Sequence, residues 1–102
     1  MIIAAFRSRV KPDQMDEYGA LADEMEAIAR TLPGFISITG FAAEDGERLS
    51  FHEWESAEHL KAWREHPAHQ KAQAHGRAHF YDSYTLYVAD APRVARFGED
   101  AL

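Results

Sequence analysis

The order of turn and strand signals in the middle of the chain is the strongest constraint on its fold. Pro33-Gly34 ends a helical pattern, because proline cannot donate the helix hydrogen bond and glycine accepts a left-handed turn. Strand patterns follow over residues 35–43 and 48–55, and Asp45-Gly46 between them is typical of a tight hairpin. Ser56 can then cap another helix. The segment therefore predicts a helix, a hairpin and a second helix in sequence.

The flanking segments extend this pattern to βαββαβ. Ile2–Val10 alternates as a strand does, and residues 80–88 form a last strand rich in aromatic and β-branched side chains. We expect Asp13 to cap the first helix, which carries one apolar stripe. The second helix divides at His66, because Pro67 suits a first helical turn better than an interior one. The predicted helical pieces are residues 57–65 and Pro67–His79.

This element order predicts an α+β, ferredoxin-like domain with an antiparallel sheet over residues 1–90, followed by a C-terminal tail over residues 91–102. Two helices can cover only one face of such a sheet, yet both faces are apolar. The side chains expected on the uncovered face are Ile3, Ala5, Ile36, Ile38, Phe51, Tyr81 and Tyr87. A second subunit stacked on that face would remove them from water, so the chain is predicted to be a homodimer.

Composition narrows the possible partners and cofactors. The chain of 102 residues fits one domain, and its formal net charge of -6 argues against nucleic acid as a partner. Cysteine is absent, which excludes disulfides, thiolate nucleophiles and thiolate metal ligands. No segment approaches the ~20 apolar residues of a membrane span, and the N-terminal pattern is not that of a signal peptide. We therefore expect a cytoplasmic protein with no membrane partner.

Three stretches carry a resemblance to a known family: residues 33–38, 51–56 and 62–69. The last of them reads Ala-Trp-Arg-Glu-His-Pro-Ala-His. Their order and spacing resemble the antibiotic biosynthesis monooxygenase family, and the resemblance extends over residues 1–88. It implies a dimeric α/β barrel that oxidises an organic substrate with molecular oxygen. It also implies that Trp63 lies beside the substrate cavity.

Histidines and aromatic residues around this motif are the candidates for chemistry. Trp63 is either a core residue or a wall that stacks on a flat substrate. His66 and His69 follow it at three and six residues, and imidazole suits removal of a phenolic or enolic proton. His52 is a third possible base, or a core histidine. The predicted catalytic residues are His66, His69 and His52, and the predicted substrate-binding residues are Trp63, Phe6 and Tyr81.

The leading hypothesis is a cofactor-independent monooxygenase of a small electron-rich aromatic molecule or quinol. Such a substrate, once deprotonated, can give an electron directly to oxygen, so the protein needs an apolar pocket, a base and exclusion of water. No metal site is predicted. His75 and His79 have the i, i+4 spacing of metal ligands, but the sequence offers no third ligand in a fitting position, and Gly76 weakens the helix between them.

Two alternatives remain open. Haem-degrading enzymes resemble this chain at Trp63, but they carry an asparagine where Phe6 stands and a haem-ligating histidine where Gln73 stands. His75 could replace that ligand only in a shifted register, so haem degradation ranks second. The third possibility is a non-catalytic dimeric binding or stress-response module.

Overall fold

The structure, a computed structural model, describes residues 1–100. Its elements are β1 (Ile2–Val10), α1 (Met15–Ala29), β2 (Phe35–Ala42), β3 (Arg48–Trp54), α2 (Ala57–Arg64), α3 (Pro67–His79) and β4 (Tyr81–Asp90), with a 3₁₀ turn at Pro12–Gln14 before α1. The strands form one antiparallel sheet in the order β2-β3-β1-β4. The helices pack on one face. This is the predicted ferredoxin-like α+β arrangement.

Local signals set most of the element boundaries. Ser56 caps α2 by accepting a hydrogen bond from the His59 N–H at 3.2 Å, as predicted. Gly34 has φ +80°, and a Cβ at this position would collide with the His59 ring, so the turn into β2 requires glycine. Gly46 supplies a second positive φ, +93°, in the β2–β3 hairpin. β2, β3 and α2 each end one residue before the predicted boundary.

The start of α1 differs from the prediction. Asp13 lies in the 3₁₀ turn rather than at the N-cap, which Gln14 occupies without a side-chain cap bond to any described residue. The prediction that Asp13 caps the helix was wrong, because Pro12 begins an extra turn that places the α-helix one residue further along. The acidic first turn remains, in Asp16 and Glu17, where it favourably meets the positive end of the helix dipole.

The core joins the sheet to α1 and α2. Its buried members are Ile2, Ala4, Ala29, Trp54, Leu60 and Trp63. Trp54 on β3 is fully buried and stacks on Trp63 of α2, with 6.3 Å between ring centroids and 22° between ring planes. Leu60 and Trp63 are the buried residues of α2 and share its inner face. This aromatic contact fixes α2 over the sheet and so positions one wall of the cavity described below.

Two strand irregularities move side chains from the expected face to the other. In β2, Phe35 pairs with Trp54 and Ile38 with His52, so three steps on β2 match two on β3. Ile38 consequently packs against the core rather than on the outer face. The register also shifts between Arg9 and Val10 against β4. The expected outward positions of Ile38 and Tyr81 were therefore wrong, because a one-residue bulge inverts strand alternation beyond it.

The shift between Arg9 and Val10 explains the position of Tyr81. Ser83 pairs with Arg9 while Tyr81 pairs with Val10, whose side chain is buried on the helix side. Tyr81 thus joins the layer between sheet and helices. β4 ends at Asp90, and residues 91–100 form no helix or strand. The last two tail residues lie outside the described residues.

The outer face of the sheet keeps an apolar band. Ala5 pairs with Phe51 on one side and with Tyr87 on the other, so these three side chains lie next to one another across β3, β1 and β4. Tyr87 is 55% exposed, and Phe41 on β2 is 54% exposed. The helices cover the opposite face, so this band faces away from the core of the same chain.

Candidate active site

A cavity of about 310 Å³ lies between the sheet and the three helices. Five of the six side chains predicted for the site line it: Phe6, His52, Trp63, His69 and Tyr81. The strands supply Phe6, His52 and Tyr81, and the helices α2 and α3 supply Trp63 and His69. Its size is near the lower limit for ligand pockets and suits a small ring compound.

The break between α2 and α3 brings Trp63 and His69 into contact. In a straight helix, residues six apart are separated by ~9 Å along the axis and ~120° around it, so their side chains would not meet. Here the chain bends at His66, where ψ is 130°, and α3 starts again at Pro67. The ring centroids of Trp63 and His69 are 4.4 Å apart as a result. A tryptophan and an imidazole therefore form one continuous wall of the cavity.

His66 has a structural role at this break. Its Nδ1 accepts a hydrogen bond from the Ala68 N–H at 3.1 Å, so the side chain caps α3. Its ring centroid is 5.9 Å from that of Trp63, but His66 is not among the residues that line the cavity. The structure thus places His69 and His52 in the cavity lining and His66 outside it.

Two ring nitrogens of the wall are buried without a partner. Trp63 Nε1 and His69 Nδ1 have no hydrogen-bond partner among the described residues. Trp54 Nε1 shares this condition but does not line the cavity. A buried donor or acceptor without a partner costs ~1–3 kcal/mol. The nitrogens of Trp63 and His69 are both withdrawn from the accessible surface of the cavity, so the wall offers a ligand its rings rather than these two atoms.

Burial keeps the cavity imidazoles uncharged. It lowers the pKa of His52 to about 4, and repulsion from His69 adds to the shift. Burial also lowers the pKa of His69. The backbone carbonyl of Arg64 opposes that shift, although it makes no well-aligned hydrogen bond to Nδ1, while His66 reinforces it. Both rings are consequently neutral near pH 7 and can accept a proton.

His52 is held in place from its own strand. Its Nε2 is 2.8 Å from the hydroxyl oxygen of Ser50, two residues earlier on the same face of β3. The tautomer of the ring decides which of the two groups donates. This bond occupies one nitrogen of His52. Among the described residues, no side chain hydrogen-bonds to His69, which makes it the less constrained of the two candidate bases.

Aromatic side chains form the wall opposite the helix break. Phe6 contacts Tyr81 and Tyr84, with ring centroids at 5.4 and 5.0 Å. Burial raises the pKa of Tyr81 well above its ordinary value, and the nearby Tyr18 and Tyr84 add to this. The Tyr81 hydroxyl therefore stays protonated and can donate a hydrogen bond to a ligand oxygen.

Ser50, Arg48 and Tyr18 are among the lining residues that were missed at the level of sequence. Ser50 and Arg48 precede His52 by two and four residues, so the period-two alternation of β3 was a usable signal for both. Tyr18 lies on α1. The guanidinium carbon of Arg48 lies 5.4 Å from the centre of the Tyr18 ring.

The His75/His79 pair lies outside the cavity lining. Their ring centroids are 4.6 Å apart and both residues are exposed. Within residues 1–100 there is no group of three His, Asp or Glu side chains arranged to hold a metal ion. In the same residues, no helix has the length and apolar character needed to cross a membrane.

Fold and site together define a class of protein: a ferredoxin-like α+β domain with an aromatic-lined cavity between its sheet and helices. Residues 1–75 match the sequence profile of a family described as antibiotic biosynthesis monooxygenase. YqjZ of Bacillus subtilis, an uncharacterised protein, is 33% identical over 97 residues, which cover 95% of this chain and 85% of YqjZ. The chain belongs to the antibiotic biosynthesis monooxygenase family, and at that level it is a monooxygenase.

Solved structures share the fold over almost the whole chain. Rv0793 from Mycobacterium tuberculosis has a TM-score of 0.83 at 22% identity, covering 92% of this chain and 97% of that one. SnoaB, a cofactor-independent oxygenase from Streptomyces nogalater, has a TM-score of 0.78 at 15% identity, with 91% and 94% covered. At these sequence identities, the similarity shows a shared fold alone.

Proposed function

We propose that this monooxygenase oxidises a small electron-rich phenol or quinol without a cofactor, in the cavity between the sheet and the helix break. One observation carries the proposal. Trp63 and His69, whose ring centroids are 4.4 Å apart, form an aromatic wall of the cavity, and burial lowers the pKa of His69 so that its imidazole is neutral. A flat ring stacked on that wall would present its hydroxyl group to a neutral imidazole. SnoaB, a cofactor-independent oxygenase, shares the fold, which supports this chemistry.

The reaction balances without an added reductant. His69 takes the phenolic proton, and the phenolate gives an electron to O₂, after which carbon and oxygen join. One oxygen atom stays on the ring as a carbonyl. The other leaves as water with the two hydrogens that the substrate loses. The apolar cavity favours these steps by excluding water from the reactive intermediates.

His69 is the preferred base, ahead of His52 and His66. His66 binds the backbone of α3 through Nδ1, and His52 is bonded to Ser50. With the lowered pKa of His69, its neutral form persists below pH 6.5. We therefore expect activity to hold through mildly acidic pH and to fall only when that imidazole becomes protonated.

The active form is proposed to be a homodimer in which the outer sheet faces of two copies meet. The apolar band formed by Ala5, Phe51 and Tyr87, of which Tyr87 is exposed and the other two are partly buried, supports this arrangement. Two such bands stacked together would leave the cavities, which lie on the helix side, open for ligands.

The test combines oxygen consumption with isotope incorporation. A panel of naphthols and naphthoquinols is supplied under ¹⁸O₂, and products are analysed by mass spectrometry after subtraction of spontaneous oxidation. His69→Gln is expected to lower kcat by ~100-fold or more, whereas His79→Gln, an exposed control on α3, changes little. Trp63→Phe reduces the ring area available for stacking and should weaken substrate binding ~2–10-fold.

Two results would contradict the proposal. Equal rates for the His69 and His79 variants would remove His69 as the base. No enzyme-dependent oxygen uptake with any substrate would favour a non-catalytic binding module.

Haem degradation is tested separately. Phe6 and Gln73, where haem-degrading relatives carry asparagine and histidine, both line this cavity. The phenyl ring of Phe6 cannot donate the hydrogen bond that the asparagine provides in those relatives. The Gln73 amide is a poor ligand for haem iron compared with imidazole. Loss of the Soret band with release of iron, after addition of haem and a reductant in air, would favour that activity instead.

A further inference from the structure

Arg48 occupies an unusual place at the edge of the cavity. It is the first residue of β3, it lines the cavity, and it lies on the same strand face as Ser50 and His52. Its neighbours across the sheet are Ser8 on β1 and Ala42 on β2, neither of which carries a charge. The Arg48 side chain is half-buried, and its guanidinium lies over the ring of Tyr18.

The charge of Arg48 has no counter-charge in the chain as described. Within residues 1–100, the ion pairs join Arg7 to Glu47 at 2.6 Å, Arg9 to Asp45 at 2.8 Å, Arg30 to Glu26 at 3.3 Å and Lys11 to Asp82 at 3.9 Å. No carboxylate of these residues lies within 4.0 Å of a nitrogen of Arg48. A guanidinium partly withdrawn from water gains from an anionic partner that accepts two parallel hydrogen bonds.

The acidic residues at the cavity do not fill this role. Asp23 and Glu26 border the cavity from α1, but Asp23 is exposed and Glu26 is paired with Arg30. Arg64 also borders the cavity and has no carboxylate partner among the described residues. The edge of the cavity near Arg48 therefore offers a positive group beside an aromatic face, open to a ligand.

We propose that Arg48 binds a carboxylate of the substrate, so that the enzyme prefers aromatic acids that carry their reactive hydroxyl at the opposite end. The inference rests on the proposed function for the identity of the reacting end. Arg48 and His52 are four residues apart on one strand, which separates their backbones by ~13 Å. A carboxylate on Arg48 thus places a two-ring substrate along the cavity, with its far hydroxyl near the two histidines.

Matched probes that differ only in charge test the proposal. The probes are 6-hydroxy-2-naphthoate and its methyl ester, with binding measured by isothermal titration calorimetry at pH 7.5. The wild type should bind the acid at least ~10-fold more tightly than the ester. Arg48→Gln should remove this preference by weakening the acid alone, while Arg48→Lys, which keeps the charge but loses the planar contact with Tyr18, should retain part of it. Arg77→Gln, an exposed charge removal on α3, should leave both affinities unchanged.

Several results would overturn the proposal: equal affinity of the wild type for acid and ester, absence of binding of both, or equal losses for both probes in Arg48→Gln. Circular dichroism verifies that each variant is folded. Binding does not require oxidation, so the two proposals fail separately. A charge preference that depends on Arg48, without oxygen uptake, would retain the anion site and reject the oxygenase reaction. Oxygen uptake without a charge preference that depends on Arg48 would retain the oxygenase reaction and reject the anion site.

Discussion

Burial, rather than any charged partner, sets the chemistry of the two cavity histidines. His52 and His69 lie among apolar and aromatic side chains, and desolvation is the largest cause of the lowered pKa of each. A neutral imidazole is the form that can remove a proton, so the same burial that stabilises the fold keeps these rings ready to act as bases.

We expect the burial of His52 to appear as a pH dependence of stability. Its pKa is about 4 in the folded protein, against an ordinary value of 6.5, so the unfolded chain binds more protons between these values. Stability therefore rises with pH through this window and is unaffected by His52 above it. At pH 5 the loss is on the order of 2 kcal/mol. Urea unfolding at pH 7.5 and pH 5 measures it.

His52→Gln should reduce the loss of unfolding free energy between pH 7.5 and pH 5 by about 2 kcal/mol, since glutamine does not titrate. His79→Gln removes an exposed imidazole and should leave the dependence unchanged. If wild type and His52→Gln lose the same free energy on acidification, His52 does not have the lowered pKa.

At the scale of elements, the order of strands and helices could be predicted from the sequence because each boundary has its own local chemistry. The helix stop at Pro33-Gly34, the hairpin at Gly46 and the cap at Ser56 all occur as expected. The positions of Ile38 and Tyr81 could not be predicted, because a bulge depends on how two strands pair rather than on either strand alone. The lining role of Arg48 was missed although β3 alternates regularly.

The contact between α3 and β4 depends on the absence of a side chain at Gly76. A Cβ there would lie 2.5 Å from the Tyr81 ring, whereas one at Gly19 of α1 would meet nothing within 4 Å. We expect Gly76→Ala to destabilise the protein by ~1–2 kcal/mol, since overpacking outweighs the gain in helix propensity, and to disturb ligand binding through Tyr81.

Gly19→Ala is the matched control, and it should stabilise the protein by up to ~1 kcal/mol. Thermal and urea unfolding of the two variants give the comparison. Stabilisation by both substitutions would mean that the Tyr81 ring moves aside freely and that the close contact does not constrain the cavity.

At the scale of the whole molecule, the sheet has one face that lines the cavity and one that the chain's own helices leave uncovered. Ala5, Phe51 and Tyr87 lie side by side on the second face. The formal net charge of -6 disfavours unspecific association between copies of the chain. The homodimer remains a proposal that a change of oligomeric state can test.

Phe51→Glu should dissociate the dimer, because each interface would then bury two charges without partners. The dissociation constant should rise at least ~100-fold, which light scattering coupled to size-exclusion chromatography detects at micromolar concentration. Phe97→Glu places the same charge on a fully exposed tail ring and should leave the dimer intact. A monomeric wild type, or a dimeric Phe51→Glu variant, would refute this arrangement.

The bend at His66 has a consequence for how the site forms during folding. Trp63 and His69 are separated by six residues, so their contact closes a very short loop and costs little chain entropy. His52 and Phe6 reach the cavity only after β1 and β3 have paired across a long stretch of chain. Local contacts generally form faster than distant ones. The aromatic wall can therefore take shape with its helix pair before the sheet provides the surface that encloses it.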